Sequence, residues 1–427
     1  MTLHRDQTVQ PKPHDAIAPI SRRDLIAWTC VSSAYAVAFL QRVCPQTIVD
    51  DLARDFGVGA DGLGIIASAY FIGYMLMQFP AGVLVDTYGV RRLVIWSLAA
   101  SSSGTLLFAA APNVPIAFLA RLIIACGDAL IFTALIKLVA QQFRERQFGI
   151  MSGLSQLSGY AGGVLAATPL ALTVAWIGWR ASFAGIGVFC FFNLVLAASI
   201  LPVRVSTAKP PVLSAILFSA LAELKSRESW GCLLTFSSHF VAVTTISGVW
   251  GVPLLTDAYG LERQHATTAL VLFMVGCMVG SVVFGHFVDR IQSLVRAHIL
   301  MCLLRSGCLA LLIPTIGTAI GLEAVFGAFV ILGLVAGGMT PMILKAVRNI
   351  YSVARLGTGA AINTTSAGLL TASLQPVLGY ALSASWSGMQ RNGVPVYSAA
   401  GYNAVVLILA FISLLGIAGV MLMRRRI

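Results

Sequence analysis

Apolar runs close to twenty residues long recur from one end of this chain to the other, and that length crosses a bilayer core as a helix. A soluble fold could not hide them: 58% of the 427 residues are hydrophobic and only 10% are charged. Inside a membrane every backbone polar group must be satisfied within the protein, so the runs are read as helices. Twelve can be parsed, over about residues 25–49, 62–83, 93–111, 116–140, 149–173, 181–201, 230–255, 266–288, 297–316, 323–345, 358–382 and 404–423. The expected fold is therefore an all-α integral membrane protein. A second regularity divides it. A shift of 203 carries Gly57 onto Gly260, Gly73 onto Gly276, Gly82 onto Gly285 and Asp86 onto Asp289. One unit of about two hundred residues is used twice, giving two pseudo-symmetric six-helix bundles over 24–201 and 229–423. A polar tail (1–23) precedes them. A linker (202–228) with Pro202, Pro210 and Pro211 divides them, and a short basic tail (424–427) follows.

A net charge of +12 suggests nucleic acid until its placement is considered. Twenty of the 28 Lys and Arg fall on the side of the two tails and the linker. Arg54, Arg180, Arg263 and Arg391 fall on the other side, and Arg42, Arg121, Lys137 and Arg305 lie within helices. That bias places both termini in the cytoplasm, with the chain in the cell (inner) membrane. The first 23 residues are polar and predict no cleaved signal peptide. The eight cysteines stand singly without CxxC spacing, so a disulfide framework is not expected. No GxxxxGK(S/T) loop, metal-ligand cluster or nucleophile–base pair can be named. No cofactor, ATP-driven step or enzyme activity is expected.

A charge at the bilayer centre costs at least about 2.5–3.5 kcal/mol, so intramembrane ionisable residues are the best pointers to function. Of the 16 acids, Asp128 alone lies well inside a helix. It follows Arg121 by seven residues, about 700° of helical rotation, so the two share a face two turns apart. Asp128 either takes up a proton, anchors an amine, or neutralises Arg42 or Arg121. Arg42, with Tyr35 and Phe39 on its face, offers a planar fork suited to a carboxylate or phosphate. Its other reading is a structural pair with Asp128 or an anchor at the outer end. Lys137 and Lys345 either attract an anion or snorkel to the surface. His239 is a proton relay, a substrate donor or a hydrogen-bonded wall residue. Arg305 pairs or snorkels inward. Tyr70, Tyr74 and Gln78, spaced by four, share a face of helix 2, and with Trp250, Asn363 and Gln375 they are candidate cavity walls. Gly153, Gly159 and Gly163 suit close helix packing.

Between helices 2 and 3 stands Gly82-Val83-Leu84-Val85-Asp86-Thr87-Tyr88-Gly89-Val90-Arg91-Arg92. An Asp at the C-terminal end of a helix opposes its dipole and needs a cationic or helix-N-terminal partner. A weaker copy, Gly285-His286-Phe287-Val288-Asp289-Arg290, follows helix 8, with Gln292 where the second glycine would fall. The stretch resembles the signature loop of the major facilitator superfamily, whose pattern Gly-x-x-x-Asp-x-x-Gly-x-(Arg/Lys) is met by Gly82, Asp86, Gly89 and Arg91. The resemblance covers essentially the whole chain. It implies alternating access about a site near the midplane, with Asp86 and Asp289, together with Arg91 and Arg290, latching a cytoplasmic gate.

Within that superfamily, helix 1 with Arg42, Met77-Gln78-Phe79-Pro80-Ala81-Gly82, Gly127-Asp128-Ala129 and Gly178-Trp179-Arg180 resemble the organic-anion (anion:cation symporter) branch. The resemblance implies that Arg42 binds a substrate carboxylate, that Asp128 handles a coupled proton, and that Arg121 is the superfamily's helix 4 arginine. Gln41 departs from it, since the branch often carries an acid there. Ala125 stands where a glycine is usual, and Gly159-Tyr160-Ala161-Gly162-Gly163 lacks the proline of drug antiporters. The expected function is proton-coupled uptake of a small organic anion by a monomer in the bilayer. The rivals are an exporter of drugs or metabolites, a siderophore or dipeptide carrier, and a non-transporting sensor.

Overall fold

The computed structural model describes residues 21–202, 224–351, 356–391 and 393–425. Expectations for the N-terminal tail before residue 21, most of the linker and the last two residues fall outside them.

Twelve membrane helices follow in order. Helix 1 is Arg22–Val43; helices 2 and 3 are two helices within Ala60–Ala109 that meet at a kink at Gly89; helix 4 is Val114–Gln142, helix 5 Glu145–Leu165 and helix 6 Trp179–Ile200. In the second half, helix 7 starts as Arg227–Thr245 and helix 8 is Arg263–Phe287. Helix 9 is Leu294–Leu311, helix 10 Leu322–Ile350, helix 11 Leu356–Ala384 and helix 12 Ala399–Met423. Among the described residues nine spans are long and apolar enough to cross a membrane alone, and helix 5 with its bent continuation makes a tenth. Helices 1 and 11 complete the twelve and are the polar ones, with Arg22, Arg23, Asp24 and Arg42 in one and Asn363, Thr364, Thr365 and Gln375 in the other. Large apolar side chains such as Phe192, Val282, Leu300 and Phe411 are exposed on the outer faces, where acyl chains would cover them.

Several boundaries differ from the hydropathy parse, each for a local reason. Helix 1 stops at Val43 because Pro45 cannot continue it; a 3-10 turn, Cys44–Thr47, follows. The polar segment after it is itself a helix, Val49–Phe56, with Asp50 and Asp51 in its first turn, where the dipole favours acids. The signature stretch is a sharp kink and not a long loop: two helices meet at Gly89, whose φ of 78° and ψ of 162° suit glycine alone. Helix 5 breaks after Leu165 and resumes as Thr168–Ile177, bent by 41°. Helix 7 continues to Ala258 through two π segments, Ile246–Trp250 and Leu254–Ala258. The loop before helix 12 holds a small antiparallel hairpin, Gln390–Arg391 against Val394–Pro395.

The twofold repeat is visible in packing. A Cβ on Gly73 would stand 2.6 Å from the Leu122 carbonyl oxygen, and one on Gly276 would stand 2.6 Å from that of Val330. Helix 2 therefore lies against helix 4 as helix 8 lies against helix 10. Gly57 and Gly260, the pair that precedes these helices, share a left-handed backbone with φ of 63° and 68°.

The bundles meet closely at the end away from the termini. Gly379 packs on the Ala60 carbonyl and Gly64 on that of Gln375. The Ala60 N–H donates to the Tyr397 hydroxyl at 2.5 Å, and the Ser383 hydroxyl donates to Asp61 Oδ1 at 3.2 Å. Arg263 donates to Asp51 Oδ2 at 2.7 Å and to the Thr47 carbonyl, while the Gln46 amide donates to the Ser247 carbonyl. Closer to mid-depth, Met75 meets Gly368 and Met274 meets Gly163. The far end is sealed. Gly178-Trp179-Arg180 braces the same end: both the Trp179 indole and Arg180 donate to Asp55 Oδ2, and Arg180 also caps the carbonyls of Ala109 and Ala111.

Candidate functional site

The break in helix 1 places Arg42 in its last turn, just inside the sealed end. Tyr35, Phe39 and Arg42 share one helix face. The Arg42 guanidinium carbon lies 4.5 Å from the Tyr74 ring centre and 5.2 Å from that of Phe39, within cation–π range. The guanidinium is also within hydrogen-bonding reach of the Tyr70 hydroxyl, and its Nε has no partner. Arg42 is only partly buried. Tyr35 packs on Phe132 (4.8 Å between centroids) and Phe39 on Tyr160 (5.6 Å), so the two aromatic residues on the Arg42 face of helix 1 each pack on a further ring.

Asp128 is buried on helix 4, and Tyr70 donates to its Oδ2 at 3.2 Å. The Ser101 hydroxyl of helix 3 is a second hydrogen-bonding neighbour and also accepts from the Gln41 amide at 3.2 Å. Among the described residues no carboxylate stands within 4.0 Å of Arg42 or Arg121. Arg121, though on the Asp128 face, points elsewhere. Its Nη1 donates to the Gln41 carbonyl at 2.7 Å, one of the carbonyls freed where helix 1 breaks, and the guanidinium covers the Tyr70 ring at 4.8 Å. Arg42, Tyr35, Tyr70, Tyr74, Arg121 and Asp128 are thus brought together. Gln78 lies farther along the same helix, partly buried.

The candidates of the second half sit differently. Trp250 donates to Gln375 Oε1 at 2.9 Å and Gln375 donates to Thr245 at 3.2 Å; all three are buried in the sealed region. Asn363 is buried, donates to the Gly359 carbonyl at 2.8 Å, and leaves its Oδ1 unpartnered. His239 accepts at Nδ1 from Arg305 at 3.0 Å; since a guanidinium only donates, the ring proton is on Nε2. Arg305 does not snorkel. It is buried and bonded to Ser413, Ser238 and His239, all neutral. Lys345 donates to the Val288 carbonyl at 2.7 Å, at the C-terminal end of helix 8, and Lys137 is partly buried on helix 4.

At the signature stretch, Gly82 is exposed, Gly89 is the backbone break, and Arg91 donates to the Ala198 carbonyl of helix 6. Arg290 is exposed and lies 5.7 Å from the Phe287 ring centre. The side chains of Asp86 and Asp289 fall outside the described residues. Ser101, Phe132 and Tyr160 join the site without having been singled out from sequence. Ser101 belongs to a run of three serines in helix 3, which was the available signal.

Two six-helix bundles with a buried acid and a partly buried cation inside the membrane have the architecture of a secondary transporter. The sequence profile of the Major Facilitator Superfamily matches residues 31–320 and again 232–426, and the chain belongs to that superfamily. Among curated proteins it is similar to a chloramphenicol resistance protein of Streptomyces lividans, 27% identical over 261 residues, which are 58% of this chain and 63% of the relative's length. The fold matches a bacterial homologue of the human lysosomal transporter Spinster in an inward-facing, unoccupied conformation, with TM-score 0.75 and 14% identity over 96% of this chain and 99% of that one. It also matches a D-xylose–proton symporter, with TM-score 0.71 and 15% identity over 94% and 98% of the two chains.

Proposed function

We propose that this transporter works by alternating access and couples inward movement of a proton to uptake of a small organic anion. The observation that carries the reading is Arg42: a partly buried guanidinium with an unpartnered Nε, no carboxylate at salt-bridging distance among the described residues, and the Tyr74 and Phe39 rings beside it. A guanidinium with an N–H to spare suits a carboxylate, and the rings favour a cargo whose body is flat or apolar. Asp128, hydrogen bonded to Tyr70 and not paired with either arginine, is the proton seat. The basic side of the molecule faces the cytoplasm of the cell that carries it, both termini lie there, and Asp86 and Asp289 with Arg91 and Arg290 latch that side when the cavity turns outward.

A proteoliposome assay tests the reading. Labelled monocarboxylates, dicarboxylates, sugar acids, phosphates and dipeptides are offered with and without an inward proton gradient. Gradient-stimulated uptake of a carboxylate, lost in Arg42→Ala, is the expected result. Asp128→Asn should abolish accumulation while sparing exchange; unaltered accumulation would remove Asp128 from the coupling. The second reading, proton-driven export of a drug or metabolite, is favoured by the chloramphenicol resistance relative. Proton-driven extrusion of a lipophilic dye with no anion uptake would establish it instead.

A further inference from the structure

Tyr70 is fully buried on helix 2 and touches every charged member of the site. Its hydroxyl stands 3.2 Å from Asp128 Oδ2, 3.2 Å from the Ala38 carbonyl oxygen of helix 1, and within reach of Arg42. Its ring stacks on Tyr74 at 6.2 Å and carries Arg121 on its face at 4.8 Å. A phenol has one hydrogen to give, so Asp128 and the Ala38 carbonyl compete for it.

We infer that Tyr70 is the positioning residue through which protonation of Asp128 releases Arg42 for the anion, an assignment that rests on the roles proposed for those two residues. When Asp128 is ionised, the hydroxyl donates to the carboxylate. Its oxygen, made more negative by that bond, holds the guanidinium more strongly. When Asp128 takes a proton, the hydroxyl turns to the Ala38 carbonyl, which is equally near, and its hold on Arg42 weakens. The order that follows is proton first, anion second. The other groups that face Asp128 are Arg42 from helix 1, Cys44 from the 3-10 turn after it, Ser101 from helix 3, Arg121 from its own helix and Cys190 from helix 6; Tyr35 and Tyr74 face Arg42. Arginines keep their charge, and buried thiols without an activating base are inert, so Asp128 is the group there whose charge changes.

The test uses the purified full chain and two readouts. In the first, benzoate binding is followed by calorimetry at pH 6 and pH 8. The wild type should bind about tenfold more tightly at pH 6, the worth of one charge-assisted hydrogen bond. Tyr70→Phe keeps the stacked ring and should gain nearly all of that factor at pH 8, flattening the ratio to under about threefold. Loss of affinity at both pH values would mark a merely structural tyrosine and overturn the inference. In the second readout, phenylglyoxal labelling at pH 8 is quantified on the Arg42 peptide relative to the Arg54 peptide of the same molecule. Tyr70→Phe and Asp128→Asn should each label Arg42 at least about threefold faster than the wild type. Unchanged labelling in Tyr70→Phe overturns the inference whatever benzoate does. Faster labelling in both variants with no carboxylate binding or transport at all would sustain the link and remove the anion reading instead.

Discussion

The sealed end of the molecule depends on a small set of polar contacts between the bundles, and among them the Arg263–Asp51 contact brings two opposite charges together. Its Nη2 donates to Asp51 Oδ2 at 2.7 Å and to the Thr47 carbonyl, both in the opposite bundle. The pair is neither dry nor open, with side-chain exposures of 30% for Arg263 and 18% for Asp51. A charge-assisted hydrogen bond contributes about 1.5–3 kcal/mol and a fully exposed pair about 0–1, so partial screening leaves about 1–2 kcal/mol here. Asp51 also has Arg54 at 3.7 Å within its own helix, which remains when Arg263 is gone. Because the Arg263 contact exists only while this end is closed, Arg263→Ala should shift the closed-to-open odds by about 5- to 30-fold. Arg263→Glu should shift them further by setting like charges against each other. Paired spin labels at positions 172 and 316, exposed sites on opposite bundles near this end, would report the change as a new, longer distance population. Cys126 is replaced beforehand, since the other native cysteines are buried. Distance distributions that stay the same in both variants would refute the argument that this contact sets the closed state.

Three further outcomes follow. Burial raises the Asp50 pKa, with Arg263 opposing the rise, so the closed end should gain stability as pH falls through that raised value and level off below the ordinary carboxylate range. The same label pair should show this gain, and Asp50→Asn should remove it. Gly162→Ala would place a Cβ 1.8 Å from the Ala36 carbonyl oxygen, while Gly153→Ala meets nothing within 4 Å. The first should therefore lose about 1–3 kcal/mol in thermal unfolding and the second should lose nothing. Gly89→Ala should lose about 1–3 kcal/mol as well, because no side chain adopts its backbone angles without strain.

Hydropathy was enough to count the helices, and the 203-residue shift was enough to pair the bundles, because both report on where a segment resides. Neither reports how a helix is turned about its axis, and that governed the rest. Arg121 and Asp128 do share a face at seven-residue spacing, yet they do not pair, because the broken turn of helix 1 offers Arg121 the Gln41 carbonyl. That break was legible in Pro45, although the span was expected to run to residue 49. Arg305 found only neutral partners, on helices 7 and 12, which no local pattern announces. Trp250 and Gln375 were read as polar wall residues; they bond to each other in the sealed region, where a buried indole N–H and amide satisfy one another. The signature stretch was expected as a loop and is tighter than one: helices 2 and 3 meet at Gly89, where a single glycine suffices to redirect the chain.

Gln41 has a bearing on energetics that its hydrogen bonds alone do not suggest. Its neutral amide is bonded to Ser101, beside Asp128, so this corner of the protein offers a proton one carboxylate and not two. A carrier with one such seat moves a monoanion and a proton together without net charge, and membrane voltage then does no work on the loaded step. The pH difference alone would set the limit, about 1.4 kcal/mol or tenfold accumulation for each unit. A dianion carried by the same single proton would instead move against an inside-negative potential at a cost of about 2.3 kcal/mol per 100 mV. The valence of the cargo would therefore decide whether this transporter senses voltage at all.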